Sequence, residues 1–157
     1  MKNIKNKTKI IKVSKVLRTI LLIGLILQTI GLVCLPIVIL TAPATGLKSP
    51  VVFENCVGLA VLPFAFLVTL NFFRLFDRFK AGHLFDSQTV KLLETAGKWW
   101  IVLGIVQIIC GSLKAWLFSP DTTIVSGNAI VGGLAVFFIA WFFREAQELQ
   151  EEQELTV

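Results

Sequence analysis

The sequence predicts an all-α integral membrane four-helix bundle, with both ends of the chain on one side and a short amphipathic interfacial helix between the second and third spans. Three observations lead there. Of 157 residues, 55% are hydrophobic and only 16% charged, against roughly 25% charged in a soluble domain. Four long runs carry almost no charge. The basic residues gather on alternate connections between those runs. Mean hydropathy is +0.80, which excludes a water-soluble globule and a disordered chain. The 11 glycines have no three-residue period and there are 3 cysteines, which excludes collagen-like and disulfide-scaffold classes. Four spans of about 20 residues take up about half of such a chain and leave no room for a soluble catalytic domain.

The first span is expected over 19–40, 22 residues without a charge, broken only by Gln28, Thr29 and Pro36. At 1.5 Å per residue it covers about 33 Å, enough to cross the apolar core. The second is expected over 52–73, with Glu54 at headgroup level and Pro63 near the middle. The third, 99–118, holds one charge, Lys114, close enough to its end to snorkel toward water. The fourth is expected over 124–143, because the uncharged run Asn128 to Phe143 is short unless part of Thr122 to Gly127 joins it.

Orientation follows from the cations. Seven lie in the arm 1–18, five in the loop 74–98 and one, Arg144, in the tail 144–157, whereas the other side has only Lys48 and Lys114. The positive-inside rule then places both termini and the central loop in the cytoplasm. Ala42-Pro43-Ala44 behind a basic leader looks like a signal-cleavage site. The 22-residue apolar run exceeds the 7–15 residues of a signal h-region, so an uncleaved first helix is expected.

Lipid offers helices little hydrophobic reason to associate, so small residues and interhelical hydrogen bonds must bring them together. Small residues recur every seventh position: Gly24 and Gly31; Gly58 and Ala65; Gly97, Gly104 and Gly111; Ser126, Gly133 and Ala140. Such stripes stay on one face of a left-handed bundle. Gln28, Asn71, Gln107 and Ser112 are expected to face inward. Pro36 and Pro63 free the carbonyls of Leu32 and Leu59 and read as tolerated kinks. Cys34, Cys56 and Cys110 have no metal-ligand spacing and read as packing residues, so no cofactor or metal is expected. The interior has no Asp, Glu, Arg or His, which argues against a coupled transporter and against an enzyme.

In the loop, Phe72, Phe76 and Phe79 lie along one face, so the second helix is expected to run past the membrane until Gly82 ends it. Asp86 or Ser87 then caps a new helix. From Gln88 to Lys98 that helix sets Val90, Leu93 and Gly97 against Lys91, Glu94 and Lys98, with Glu94 and Lys98 placed for an i,i+4 pair. It is expected to lie at the interface and feed into a Trp99-Trp100 anchor. His83 has only Asp77 and Asp86 nearby and reads as a solvated turn residue. The arm carries +7 and the tail −4, the latter closing on Leu155-Thr156-Val157. The arm is suited to anionic lipid, and the tail to docking on the domain or in a partner's groove.

The loop segment Phe79-Lys80-Ala81-Gly82-His83-Leu84-Phe85-Asp86 and the tail Phe143 to Val157 together resemble a family of small bacterial four-span membrane proteins whose domain has no assigned function. The most specific part is the terminal Glu-Leu-x-x-Glu-x-x-Leu-Thr-Val pattern, with Ala146 where members often carry Gly and Glu154 where Asp is usual. The resemblance implies a bacterial inner-membrane location and a small helix-turn-helix regulator encoded alongside.

The expected function is accordingly non-enzymatic: a regulatory or scaffold protein that meets lipid and binds a cytoplasmic partner. The contacts would run through Phe79, Gly82, His83, Phe85, Asp86, Glu148, Leu149, Leu155, Thr156 and Val157. Direct nucleic-acid binding by the arm is not expected, because it lacks interleaved aromatics. The alternative is a small channel or facilitator for a neutral or weakly polar solute around Gln28, Asn71 and Gln107, with homo-oligomerisation enlarging the path.

Overall fold

A computed structural model describes residues 2–41, 50–81, 86–118 and 128–155. Four helices account for nearly all of them: α1 (Lys2–Thr41), α2 (Pro50–Ala81), α3 (Ser87–Phe118) and α4 (Asn128–Leu155). At 1.5 Å per residue they are about 60, 48, 48 and 42 Å long, so each outreaches an apolar core of about 30 Å. All four are long and apolar enough to cross a membrane. The Thr122 to Gly127 extension of the fourth span and the Ala42-Pro43-Ala44 segment lie outside the described residues. α1 runs through Pro36 and α2 through Pro63 without interruption.

Neighbours in sequence are antiparallel neighbours in space. α1 packs on α2, α2 on α3 and α3 on α4, and among the described residues no other pair of helices meets. The four helices therefore form an open row, not a closed bundle in which α1 also touches α4. The open row leaves wide apolar flanks, including Ile23, Ile26 and Leu27 on α1 and Leu134, Phe138 and Trp141 on α4. Ser112 is exposed, against the expectation that it faces inward. An open row has less interior than a bundle to turn such a residue toward.

The closest approach is between α3 and α4. A Cβ added at Gly104 would lie 2.9 Å from the backbone nitrogen of Ile130, and one at Gly133 would lie 2.9 Å from the backbone nitrogen of Ile101. At Gly97 the added carbon would meet the Phe137 ring at 2.8 Å. Two stripes of the seven-residue pattern thus face each other at this seam, joined by Ala140, which is fully buried. Gly24, Gly31 and Gly58 on the α1–α2 side keep ordinary to slightly tight distances to Thr69, Leu62 and Leu35. Where α1 meets α2, Gln28 donates from Nε2 to Thr69 Oγ1 at 3.1 Å, and Thr69 in turn donates to Ala65 O at 2.9 Å.

The best-buried cluster is not at mid-span but toward the end that carries both termini. Leu75, Leu93, Ala96, Val136 and Ala140 form it, with Phe72, Phe79, Trp100 and Phe143 packed around them. Leu75 and Leu93 fall outside the long uncharged runs, where the alternative to burial is water and not lipid. Burying such a side chain is therefore worth about 1.5–3 kcal/mol. This corrects one expectation. Residues 88–98 do not form a separate interfacial helix but are the first turns of α3, because Val90, Leu93, Ala96 and Gly97 bury against protein. Trp99 and Trp100 are half-buried against neighbouring helices: Trp100 stands edge-on to Phe72 at 5.7 Å, and Trp99 lies 6.1 Å from Phe64.

The α3–α4 seam supplies a direct test. Gly133→Leu or Gly104→Leu is expected to lower stability by about 1–3 kcal/mol through overpacking, whereas Gly58→Ala, whose new carbon would sit 3.5 Å from Leu35, is expected to be nearly neutral. Thermal unfolding in detergent micelles, followed by loss of helicity, reads the difference. Equal stability of all three variants would contradict the close backbone contact.

Candidate functional site

The chemistry-bearing residues collect where the helices emerge at the end holding both termini. Each neighbouring helix pair is tied there by an ion pair. Arg18 on α1 places Nε 3.0 Å from Asp77 Oδ1 on α2, with its guanidinium 5.1 Å from the centre of the Phe73 ring. Arg78, one residue further along α2, reaches the start of α3, where it donates to the Asp86 carboxylate at 2.5 Å and to Gln88 Oε1. Arg144 on α4 donates to Glu94 on α3. At the opposite end one such tie is found among the described residues, from Lys114 Nζ to Glu54 Oε1 at 2.6 Å. Lys114 thus meets a partner where free snorkelling was expected. Glu94, expected to pair with Lys98 on its own helix, pairs with Arg144 across the seam, because the α3–α4 register brings that guanidinium alongside. Exposed pairs of this kind are worth about 0–1 kcal/mol each, so they specify alignment more than they supply stability.

Asp86 does two jobs. Its carbonyl accepts from the amides of Thr89 at 2.8 Å and Val90 at 3.2 Å, and its Oδ1 accepts from the Gln88 amide at 3.4 Å. It is the N-cap of α3, as the sequence predicts. Burial pushes its carboxyl up, but the Gln88 amide, the Arg78 side chain and charge and the Ser87 hydroxyl together outweigh that, holding it below the ordinary carboxylate value.

Among the described residues, two clefts open at this end. One, of about 460 Å³, lies between α2 and α3, lined by Arg74, Asp77 and Arg78 from the first and by Gln88, Lys91, Leu92 and Thr95 from the second. A smaller one, about 250 Å³, lies between the start of α3 and α4, lined by Ser87, Val90 and Lys91 and by Arg144, Gln147 and Glu148. The expected contact residues are placed unevenly around them. Phe79 is half-buried, edge-on to Phe76 at 5.8 Å, and belongs to the packed cluster more than to the surface. Glu148 lines the smaller cleft, and Leu149 beside it is 54% exposed. Gly82, His83, Phe85, Thr156 and Val157 lie outside the described residues, as does the side chain of Leu155, the last residue of α4.

The polar groups invoked for a solute path lie away from both clefts. Gln28 is bonded to Thr69, and Asn71, 7% exposed, donates to the carbonyl of Leu67 on its own helix at 2.8 Å. Gln107 is half-buried along α3. Residues that sequence reasoning passed over are Arg18, Asp77, Arg78 and Arg144. Their available signal was a cation or an acid within a turn or so of each span end, which orientation arguments count without pairing.

A family model described as a protein of unknown function, DUF2975, matches residues 43–157. The chain belongs to that family. The matched part holds α2, α3 and α4, while α1 precedes it. No curated protein and no solved structure matches the chain.

Asp86→Asn keeps a capping group and removes the charge. Because the carboxyl's value in the folded protein is lowered from 3.8, its stabilising contribution is complete above that pH and is lost as pH falls through the lower folded value. Amide hydrogen exchange at Gln88 to Val90 is expected to be faster in the variant at neutral pH, with the difference closing in acid. A difference that persisted unchanged in acid would mean that Asp86 acts as a cap alone.

Proposed function

We propose that this multi-pass membrane protein is a non-enzymatic regulatory or scaffold protein of the bacterial inner membrane, with both termini in the cytoplasm, that binds a cytoplasmic protein through the emergent part of α4. The basic arm 1–18 and the basic loop 74–98 support that orientation. The observation that carries the reading is the shape of α4. It continues as helix from Arg144 to Leu155, past the last uncharged residue of its span. Among the described residues it packs on α3 alone. Glu145 and Glu148 are exposed on it together with Leu149.

An extended helix with an acidic face and an apolar residue beside it suits a basic partner surface with an apolar contact at its centre. The partner that fits is a small helix-turn-helix regulator, since a DNA-binding protein presents cations. Its engagement by Glu145 and Glu148 would compete with DNA for the same charges. The ion pairs of Arg78 and Arg144 would hold the platform from which α4 projects. No step of chemistry is assigned to any side chain here.

Removing residues 148–157, or replacing Glu145 and Glu148 by Lys in the full chain, is expected to reduce co-purification of a co-expressed helix-turn-helix regulator to background, while insertion stays normal. A reporter fused after Val157 should be active in the cytoplasm. Undiminished recovery with the truncated chain would refute the role of the tail, and a reporter active outside would refute the orientation.

A further inference from the structure

The larger cleft between α2 and α3 carries an unbalanced charge. Arg74, Arg78 and Lys91 line it against the single carboxylate of Asp77. Asp77 is taken up by Arg18, and Arg78 by Asp86 and Gln88. Arg74 and Lys91, both exposed, have no partner for their charges among the described residues. The cleft therefore holds two unneutralised cations from two different helices facing one space. Gln88 adds to them. A guanidinium only donates hydrogen bonds, so Arg78 fixes the oxygen of the Gln88 amide toward itself and leaves Nε2 as a donor at the cleft.

The level of the cleft narrows the choice of anion. Arg74 is the first residue after the uncharged run of α2, and Trp99, on α3, begins the uncharged run of that helix. The lining thus runs from about one turn to about three turns beyond the ends of the apolar segments, with Arg74 and Thr95 nearest the depth of lipid headgroups. Trp99 stands four residues beyond Thr95 on the same face of α3 and closes on Phe64 of α2 at 6.1 Å. The seam below the cations is thus apolar and aromatic, a surface along which acyl chains can lie.

We infer that this cleft binds the phosphate of an anionic phospholipid, held by Arg74 and Lys91 with the Gln88 amide as a third donor. Arg offers planar paired donors and Lys a point charge, and both suit phosphate oxygens. Basic pockets between membrane helices recognise anionic headgroups in this way. The inference does not rest on the partner-binding role of α4, and its test leaves that tail intact.

The test uses the full chain in nanodiscs of phosphatidylcholine doped with phosphatidylglycerol, and native mass spectrometry counts retained anionic lipid. Arg74→Gln with Lys91→Gln is expected to weaken retention about 25-fold, or about fivefold for each cation, whereas Lys80→Gln with Lys98→Gln, at the same end but outside the cleft, leaves it unchanged. Both pairs are exposed, and unaltered helicity confirms folding. If the double variant fails to insert, the two single substitutions carry the comparison. Equal retention by all variants, or equal loss from both double variants, would overturn the site. Displacement of the lipid by glycerol phosphate at matching concentration would overturn the lipid assignment in favour of a free phosphate.

Discussion

Where Gly97, Gly104 and Gly133 let the backbones of α3 and α4 touch, the structure has its least adjustable contact, since the approach at Gly104 and Gly133 is to backbone and not to the far end of a side chain. Inside a bilayer that kind of contact matters more than apolar burial, because lipid already solvates Leu and Phe as well as a neighbouring helix does. Other features hang from this seam. It fixes the register in which Arg144 meets Glu94, and it sets the Trp100 ring against Gly132, where an added carbon would lie 3.1 Å from it. It also brings Val136 and Ala140 into the cluster with Leu75, Leu93 and Ala96. The same α3 forms one wall of the basic cleft, and Gly97 lies two residues beyond Thr95 in that wall, so the geometry of the cleft depends on this seam.

The two ends of the helices are stabilised by different physics. Toward the charged end, the first turns of α3 and the last turns of α2 stand beyond the uncharged runs, so burial of Leu75, Val90 and Leu93 removes apolar surface from water. There the hydrophobic effect operates as in a soluble protein. The ion pairs among Arg18, Asp77, Arg78, Asp86, Glu94 and Arg144 ring that small core and orient it. At the other end, Phe53 stands edge-on to Phe118 at 5.3 Å, and the Lys114–Glu54 pair joins the same two helices. The proposed recognition surfaces accordingly belong to the end whose apolar core is sealed from water, where rigid helices can be presented outside lipid.

Four apolar helices, the start of α3 and the glycines of the α3–α4 seam were legible because they depend on properties local to the chain: uncharged length, a capping Asp86, and glycine at every seventh position. The amphipathic pattern of Gln88 to Lys98 was equally legible, yet the periodicity of an apolar face does not say what covers it. Val90 and Leu93 would look the same facing a headgroup layer or facing Leu75. The same ambiguity misplaced Glu94, whose nearest sequence partner was Lys98 but whose partner in the fold comes from fifty residues away. Polar residues in spans were read as inward-facing groups. Gln28 has its partner on the next helix and Asn71 on its own, and a threonine carbonyl relay of the kind at Thr69 and Ala65 cannot be foreseen without the α1–α2 register.

The open row also separates α1 from the rest. The packed cluster draws only on α2, α3 and α4, the helices that the family match covers, while α1 adheres to α2 alone. Its contacts are of a looser kind: Gly24 and Gly58 have room for a methyl group, and the Gln28 oxygen is buried without a partner. What fixes α1 most specifically at the charged end is Arg18, which lies between the Asp77 carboxylate and the Phe73 ring. Asp77 also lines the basic cleft, so an anion seated there would stand near the carboxylate that anchors α1. The Asp77 carboxylate would repel such an anion, and its pairing with Arg18 offsets that repulsion. Under the proposed lipid site, occupation of the cleft and attachment of α1 would reinforce each other. The first helix is the one least determined by packing and the one most exposed to electrostatic control.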